Sequence, residues 1–285
     1  MKDIKNFEQL IGDLSERGVR KRVAVVCPWD KSTREAVKKA AELGFADPVF
    51  FEEADPMEAA RKAIALIREG GADILMKGLI NSDILLRAIL DKEEGILEPG
   101  HVLTHIGCAG IPDYPRLLFY TDAAVIPYPT QEQRVEQVRY LAVLCRAFGI
   151  ERPRISLIHC SEKVDGRHFP FTAGYADIIR KAERGEFGEC LVDGPLDLKT
   201  SCSPESLAVK SLSSPVGGEA DALVFPDIEA ANLFHKVITL FARSSVACVL
   251  QGTQVPVVMP SRADSQDTKF YSIALAAMRA DAPKI

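Results

Sequence analysis

Two short stretches of the sequence place hydroxyl-bearing and cationic residues directly after apolar runs. In the first, Ser261 and Arg262 follow the apolar residues 255–259, and Asp264 comes next. A hydroxyl, a guanidinium and the open N–H groups of a helix start suit a phosphate group, and a neighbouring carboxylate can accept a proton. A simpler interpretation stays open, in which Ser261 and Asp264 form only a capping box and Arg262 is a solvated surface cation.

The second stretch begins with Lys77 and Gly78, and Asn81 and Ser82 can begin the helix that follows. Gly78 permits a tight turn. Arg87 lies farther along this helix among apolar neighbours, where an unpaired charge is costly, so we expect it to point into a cleft or an ion pair. On these residues alone, an ordinary strand-to-helix turn with Arg87 bridging to a carboxylate is the preferred interpretation.

A metal or nucleotide site of a common type is not predicted. His101 and His105 have the spacing of a zinc-binding helix, but their segment has the pattern of a strand and a third ligand is missing. We therefore predict no metal, and His105 stays a candidate for contact with a substrate. The sequence contains no Walker loop, no G-x-G-x-x-G and no G-x-S-x-G.

Composition narrows the class of protein. The 285 residues are 47% hydrophobic and 26% charged, with a formal net charge of −5. This balance is typical of a globular protein and lacks the basic excess expected of a nucleic-acid coat. No apolar run approaches the roughly 18 residues that cross a bilayer, and residues 1–18 lack the apolar centre of a signal peptide. The seven scattered cysteines are interpreted as reduced thiols, so a cytoplasmic location is expected.

The elements that must position these residues follow from short apolar runs that alternate with amphipathic segments. Strands are predicted at residues 22–27, 48–51, 73–76, 101–106, 117–120, 154–159, 190–192, 222–225, 246–250 and 255–259. Helices are predicted at residues 33–43, 57–68, 81–90 and 266–278, and after Thr130, which with Gln133 forms a capping box. Strands that are apolar on both faces predict an α/β protein with a mostly parallel sheet, in which ligands bind beyond the carboxyl ends of the strands.

Together with their surroundings, the two stretches resemble the phosphate acetyl/butyryltransferase family, and its butyryltransferases most closely. The resemblance runs in order from about residue 20 to the end of the chain. Its matching blocks are residues 72–83, 117–124, 191–196, 222–232, 255–265 and 271–275. The blocks at residues 226–232 and 261–265 carry most of its weight.

The resemblance implies an activity and an architecture. The reaction would be acyl-CoA plus phosphate giving acyl phosphate plus CoA, reversibly and without metal, with coenzyme A as a substrate and no resident cofactor. The acyl group would be short, such as butyryl, with acetyl as the alternative. Two α/β/α domains like those of isocitrate and isopropylmalate dehydrogenases would hold the active site in their cleft. The first domain would comprise residues 1–126 and 256–285, the second residues 127–255, and the chain would form a homodimer.

The resemblance also implies roles for individual residues. Ser261 and Arg262 would hold the phosphoryl or carbonyl oxygens, with Ser82 and Arg87 as phosphate or CoA contacts across the cleft. The remaining substrate contacts would be Lys77, Gly78, Asn81 and His105. Related phosphate acetyltransferases place the proposed base, an Asp, farther into the last helix. Here Asp264 and Asp267 fall nearby and Thr268 falls at the strict position, so the base stays open between the two carboxylates.

Other classes of protein stay open on the sequence alone. A metal- and NAD-dependent decarboxylating dehydrogenase could share the architecture, but it needs a cluster of Asp ligands that the sequence does not offer convincingly. A two-lobed solute-binding protein would need an export signal. An inactive relative that binds only CoA is the third alternative.

Overall fold

The computed structural model describes residues 3–262 and 264–283. Within them the strands are β1 (Lys21–Val26), β2 (Ala46–Phe51), β3 (Ile74–Lys77), β4 (Thr104–Gly110), β5 (Leu118–Thr121), β6 (Arg154–Ile158), β7 (Leu191–Leu196), β8 (Ala222–Val224), β9 (Ser245–Gln251) and β10 (Val257–Val258). The helices are α1 (Phe7–Arg17), α2 (Lys31–Glu42), α3 (Pro56–Arg68), α4 (Ser82–Ile89), α5 (Gln131–Ala147), α6 (Tyr175–Glu183), α7 (Leu198–Cys202), α8 (Pro204–Val209), α9 (Ile228–Leu240) and α10 (Gln266–Asp281). A short 3-10 turn, Pro170–Gly174, precedes α6.

The chain divides into two compact units. The split unit comprises Lys5–Cys108 and Ser245–Pro283, and the central unit is built on Ala109–Ser244. The predicted division after residues 126 and 255 differs from this one. It would place β5 in the first domain and β9 in the second. That division into domains stays a prediction.

The split unit is built on strands in the order β2-β1-β3-β10-β9-β4. Strand β1 pairs in parallel with β2 and β3, β3 pairs in parallel with β10, and β9 is antiparallel to β10. Helix α10 packs on β9 and α2, and α1 packs on α10. Since β1, β3 and β10 are parallel neighbours, their carboxyl ends lie at one edge of the sheet.

The central unit carries strands in the order β5-β8-β6-β7, with the neighbouring pairs parallel. Helix α5 packs against β5, β6 and β8. Its capping box of Thr130 and Gln133 is confirmed. The spacing of Val135, Val138, Ala142 and Cys145 predicts a buried stripe, and the last three are buried while Val135 is half-buried. Helix α5 also buries Arg134 and Gln137.

The predicted α/β class with a mostly parallel sheet is confirmed. Each predicted strand overlaps an observed one, although His101 lies before β4, which begins at Thr104. Helices α1 and α6–α9 are absent from the sequence-based prediction. Among the described residues, no helix combines the length and apolar character that spanning a membrane requires.

Candidate active site

Three loops of the split unit leave the same edge of its sheet. Residues 27–30 lead from β1 to α2, residues 78–81 lead from β3 to α4, and residues 259–265 lead from β10 to α10. Each loop ends at a helix N-terminus, where free N–H groups and the helix dipole favour an anion. Both stretches that the sequence pattern singles out therefore lie at one edge.

Gly78 lets the β3 loop lie directly against the β1 loop. The Gly78 N–H donates to the Val26 carbonyl at 2.8 Å, and the Leu79 N–H donates to the Cys27 carbonyl at 2.7 Å. A Cβ at position 78 would lie 2.3 Å from the Cys27 carbonyl oxygen. Glycine is required here because two backbones approach each other closely.

Arg262 links the β10 loop to the start of α4. Its Nη2 donates to Asn81 Oδ1. Asn81 is the N-cap of α4, yet its side chain makes no capping hydrogen bond to that helix. The Asn81 amide therefore positions the Arg262 guanidinium and does not cap α4, and the N–H groups of Ser82 and Asp83 stay available to a ligand.

Asp264 braces the β10 loop beside Ser261. Its Oδ2 accepts from the Ser261 N–H at 2.8 Å, and its own N–H donates to the Ser261 carbonyl at 3.1 Å. The N-cap of α10 is Ser265, whose Oγ accepts from the Thr268 N–H at 3.1 Å. The interpretation of Ser261 and Asp264 as only a helix cap is therefore wrong, because α10 begins after them.

Lys77 lies beneath the two loops as the last residue of β3. It is 2% exposed, and its Nζ approaches the carbonyls of Gly78 at 3.4 Å and Pro260 at 3.5 Å. Burial lowers the pKa of Lys77, and the charges of Arg262 and Lys269 lower it further. An anion bound at this edge would relieve that repulsion between cations.

Lys269 and Asp30 form a polar pair that the sequence pattern does not predict. Lys269 is 4% exposed on α10, and its Nζ donates to Asp30 Oδ1 at 2.8 Å and to Ser32 Oγ at 2.7 Å. Burial opposes ionisation of Asp30, but hydrogen bonds from Lys269, Ser32 and Thr33 outweigh it and hold the pKa well below its usual value. The pair ties the start of α2 to the start of α10. A lysine among the apolar residues of α10 is the signal that could have revealed it.

Arg87 lies on the side of α4 that faces α3. Its side chain is 74% exposed and 3.7 Å from Asp83, one turn earlier on α4. It lines a groove of about 490 Å³ between α3 and α4, together with Arg61 and Arg68. The expected ion pair is present, but as a solvated contact within one helix.

The other predicted residues have different surroundings. Asp267 is 67% exposed and 3.7 Å from Lys39, so it faces α2. His105 is buried as the second residue of β4. Ser82 is exposed as the first residue of α4. Within the described ranges, no group of three or more His, Cys, Asp or Glu side chains is placed to hold a metal ion.

The arrangement at this edge suits an oxyanion with a proton acceptor beside it. Arg262 and the start of α4 supply donors on one side, and buried Lys77 adds positive charge below. The Asp264 carboxylate stands in the same loop as Ser261 and Arg262. Such a site can bind phosphate and assist a proton transfer.

Comparison with known proteins gives the site a family. A family model described as phosphate acetyl/butaryl transferase matches residues 20–277. A phosphate butyryltransferase of Clostridium beijerinckii is 36% identical, with 96% of this chain and 97% of that protein covered. A phosphate acetyltransferase of Thermotoga maritima is 35% identical, with 92% and 96% covered.

A solved structure agrees with these matches. The crystal structure of a branched-chain phosphotransacylase from Enterococcus faecalis V583 has a TM-score of 0.84 and 28% identity, covering 93% of this chain and 100% of that chain. The family match spans both stretches singled out from the sequence and all three loops of the candidate site. The chain therefore belongs to the phosphate acetyl/butaryl transferase family.

Proposed function

We propose that the chain transfers a short-chain acyl group reversibly between coenzyme A and inorganic phosphate, at the edge where β1, β3 and β10 end. The observation that carries the site is the contact between Arg262 and Asn81 above buried Lys77. The relatives' names support the reaction class, since they include a butyryltransferase and an acetyltransferase that act on phosphate.

Arg262 would hold the oxygens of phosphate or of the acyl phosphate. A guanidinium presents paired donors to a tetrahedral oxyanion, and the open N–H groups of α4 add more. Ser261 would contribute a hydroxyl from the adjacent position. Arg87 and Ser82 stay proposed contacts to CoA or phosphate along α4, and His105 stays a proposed substrate contact.

The chemical step exchanges one bond for another at the acyl carbonyl carbon. Toward acyl phosphate, a phosphate oxygen attacks the thioester carbon and the CoA thiolate leaves and takes up a proton. In reverse, the thiol, whose pKa is about 8.5 when free, loses its proton before it attacks the acyl phosphate. Cations around the phosphate stabilise the negative charge that develops in either direction.

We propose Asp264 as the base in preference to Asp267. Asp264 lies in the loop of Ser261 and Arg262, whereas Asp267 faces Lys39. Asp264→Asn should lower kcat by at least about 10²-fold, the lower end of the range typical of a positioned base, and Asp267→Asn should lower it less than about threefold. Steady-state rates of both variants with butyryl-CoA test this. An Asp267→Asn loss larger than the Asp264→Asn loss would reverse the assignment.

Several finer points stay proposals. Coenzyme A would act as a substrate and no cofactor would be resident. The homodimer, the cytoplasmic location, the cleft between domains and the likeness to isocitrate dehydrogenase stay predictions. Butyryl is the proposed acyl group and acetyl the alternative, because relatives with either name have similar identity. A metal- and NAD-dependent dehydrogenase is not favoured, since the family model describes an acyltransferase.

Product trapping tests the proposed reaction and its chain length together. The enzyme is incubated with phosphate and acetyl-, propionyl-, butyryl- or a branched acyl-CoA, and acyl phosphate is trapped with hydroxylamine. We expect acyl hydroxamate in step with CoA release, with the highest kcat/KM for a four-carbon or branched chain. CoA release that yields free carboxylic acid in place of acyl phosphate would refute the proposal.

A further inference from the structure

A pocket of about 620 Å³ lies within the central unit, where the chain enters α5 and α9. The acyl-transfer site described above uses residues of the split unit, so this pocket has no assigned role in acyl transfer. Aromatic and proline side chains form much of its wall, including Tyr128, Phe169, Phe171 and Pro226. Arg134 of α5 and Asp227, the N-cap of α9, bring opposite charges to it.

Arg134 is a buried cation with an unused donor. Its residue is 5% exposed, its Nη2 donates to the Pro226 carbonyl at 2.9 Å, and its guanidinium carbon lies 5.3 Å from the centre of the Phe171 ring. Among the described residues, Arg134 Nε is buried without a hydrogen-bond partner. Buried donors are nearly always paired with an acceptor, so we expect a bound ligand to supply the acceptor for this nitrogen.

The charges around Arg134 select the kind of anion. Asp227 accepts from the Ala230 N–H at 2.8 Å as a helix cap and lines the same pocket. His168 is exposed at the pocket and bonds Asp165 at 2.9 Å. The guanidinium can pair with one carboxylate of a ligand, whereas each further negative charge on the ligand would meet only the repulsion of Asp227.

We propose that this pocket binds a small monocarboxylate with an apolar body. The carboxylate would accept hydrogen bonds from Nε and a terminal nitrogen of Arg134, the paired geometry that a guanidinium favours. The apolar body would pack against Phe169 and Phe171. The ligand class follows from a planar, paired donor edge, a single guanidinium and an aromatic wall in one cavity.

Calorimetric titration of the full chain tests the site, with benzoate as the probe and benzamide as its neutral counterpart. Benzoate should bind, and benzamide should bind at least about tenfold more weakly. Arg134→Gln should lower the affinity for benzoate by at least about tenfold. Arg139→Gln is the matched control, since Arg139 lies on the same helix and 5.4 Å from the ring of Phe187. The Arg139→Gln variant should bind benzoate with the same affinity as the unmodified chain.

A variant of the acyl-transfer site separates the two proposals. Arg262→Gln should keep benzoate binding, and benzoate binding that disappears in Arg262→Gln but persists in Arg134→Gln would overturn the assignment. Because Arg134 is buried, intermolecular NOEs on the unmodified chain provide a second readout. Benzoate ring protons should show NOEs to Phe169 or Phe171, and their absence, or equal binding of benzamide, would also overturn it.

Discussion

Arg262 is the side chain on which the proposed chemistry depends most. It is exposed at the edge of the split unit and positioned by Asn81. Ser261 and Arg262 could be predicted from the sequence because they fall between an apolar strand and a helix start, a place where anions bind in α/β sheets. Asn81, the partner of Arg262, could be predicted as a helix cap and, through the family resemblance, as a substrate contact. Its contact with Arg262 could not, since 181 positions separate the two residues.

Replacing Arg262 should therefore cost more than replacing Ser261. Arg262→Ala should lower kcat/KM for phosphate by about 10²–10³-fold, the typical value of one lost oxyanion donor. Ser261→Ala should lower it less, because a neutral hydroxyl makes weaker hydrogen bonds to an anion than a guanidinium does. Initial rates at varied phosphate check this order. A larger loss of kcat/KM in Ser261→Ala would show that the Ser261 hydroxyl contributes more than the Arg262 guanidinium.

Lys269 and Asp30 form the second important contact between side chains, and the sequence pattern could indicate the buried lysine but not its partner. The two residues are 239 positions apart, and neither side chain stands in a recognisable motif. Helix periodicity explains why Arg87 is exposed: it faces Asp83, one turn away, on an exposed side of α4. The apolar residues next to it in the sequence are buried on other sides of the same helix.

Asp30 should make stability depend on pH in acid. Its pKa in the folded chain lies below the usual value, so its contribution is complete above about pH 4 and is lost as the pH falls below that. Asp30→Asn should lower the free energy of unfolding by about 3 kcal/mol at pH 7, because Lys269 stays buried without its carboxylate. It should also flatten the fall in stability between about pH 4 and pH 2.

Urea unfolding of both proteins at several pH values measures these effects. Glu35→Gln on the same helix is the control, because Glu35 and Lys31 form an exposed pair. That change should alter stability by less than about 1 kcal/mol. A pH profile of Asp30→Asn parallel to that of the unmodified chain would contradict the account.

At the scale of elements, the strands were the predictable part of the fold. Each observed strand overlaps an apolar run that the sequence shows directly, because most of the strands are buried on both faces. Helix α9 illustrates why other helices were missed. It buries Ala231 and Ile238 while Leu233 and Leu240 are exposed, so its apolar residues do not form a single stripe toward the core.

The close approach of the β1 and β3 loops should make position 78 intolerant of any side chain. Gly78→Ala places a Cβ against the Cys27 carbonyl, so it should lower the free energy of unfolding by about 1–3 kcal/mol and lower kcat as the β3 loop shifts. Thermal unfolding and steady-state rates check both effects.

Gly12→Ala is the matched control for this element. Gly12 lies inside α1 with no atom within 4 Å of an added Cβ. Alanine there should raise the free energy of unfolding by about 0.5–1 kcal/mol through helix propensity. Equal stability changes in the two variants would show that the contact with Cys27 has no special importance.

For the whole molecule, the central claim is that the acyl group passes directly between CoA and phosphate, without an intermediate on the chain. The cysteine in the loop after β1 fits that claim. Cys27 is buried at the end of β1, and its burial together with the charges of Glu53 and Asp55 raises the pKa of its thiol to about 11. A protonated, enclosed thiol is a poor nucleophile.

The most direct measurement is the release of CoA thiol from butyryl-CoA as phosphate is varied, recorded from the first turnover. Direct transfer predicts no release without phosphate, a saturable increase with phosphate and no burst. The Cys27→Ser variant should retain these features. Thiol release at an undiminished rate without phosphate, or a burst of one thiol per chain, would contradict the account.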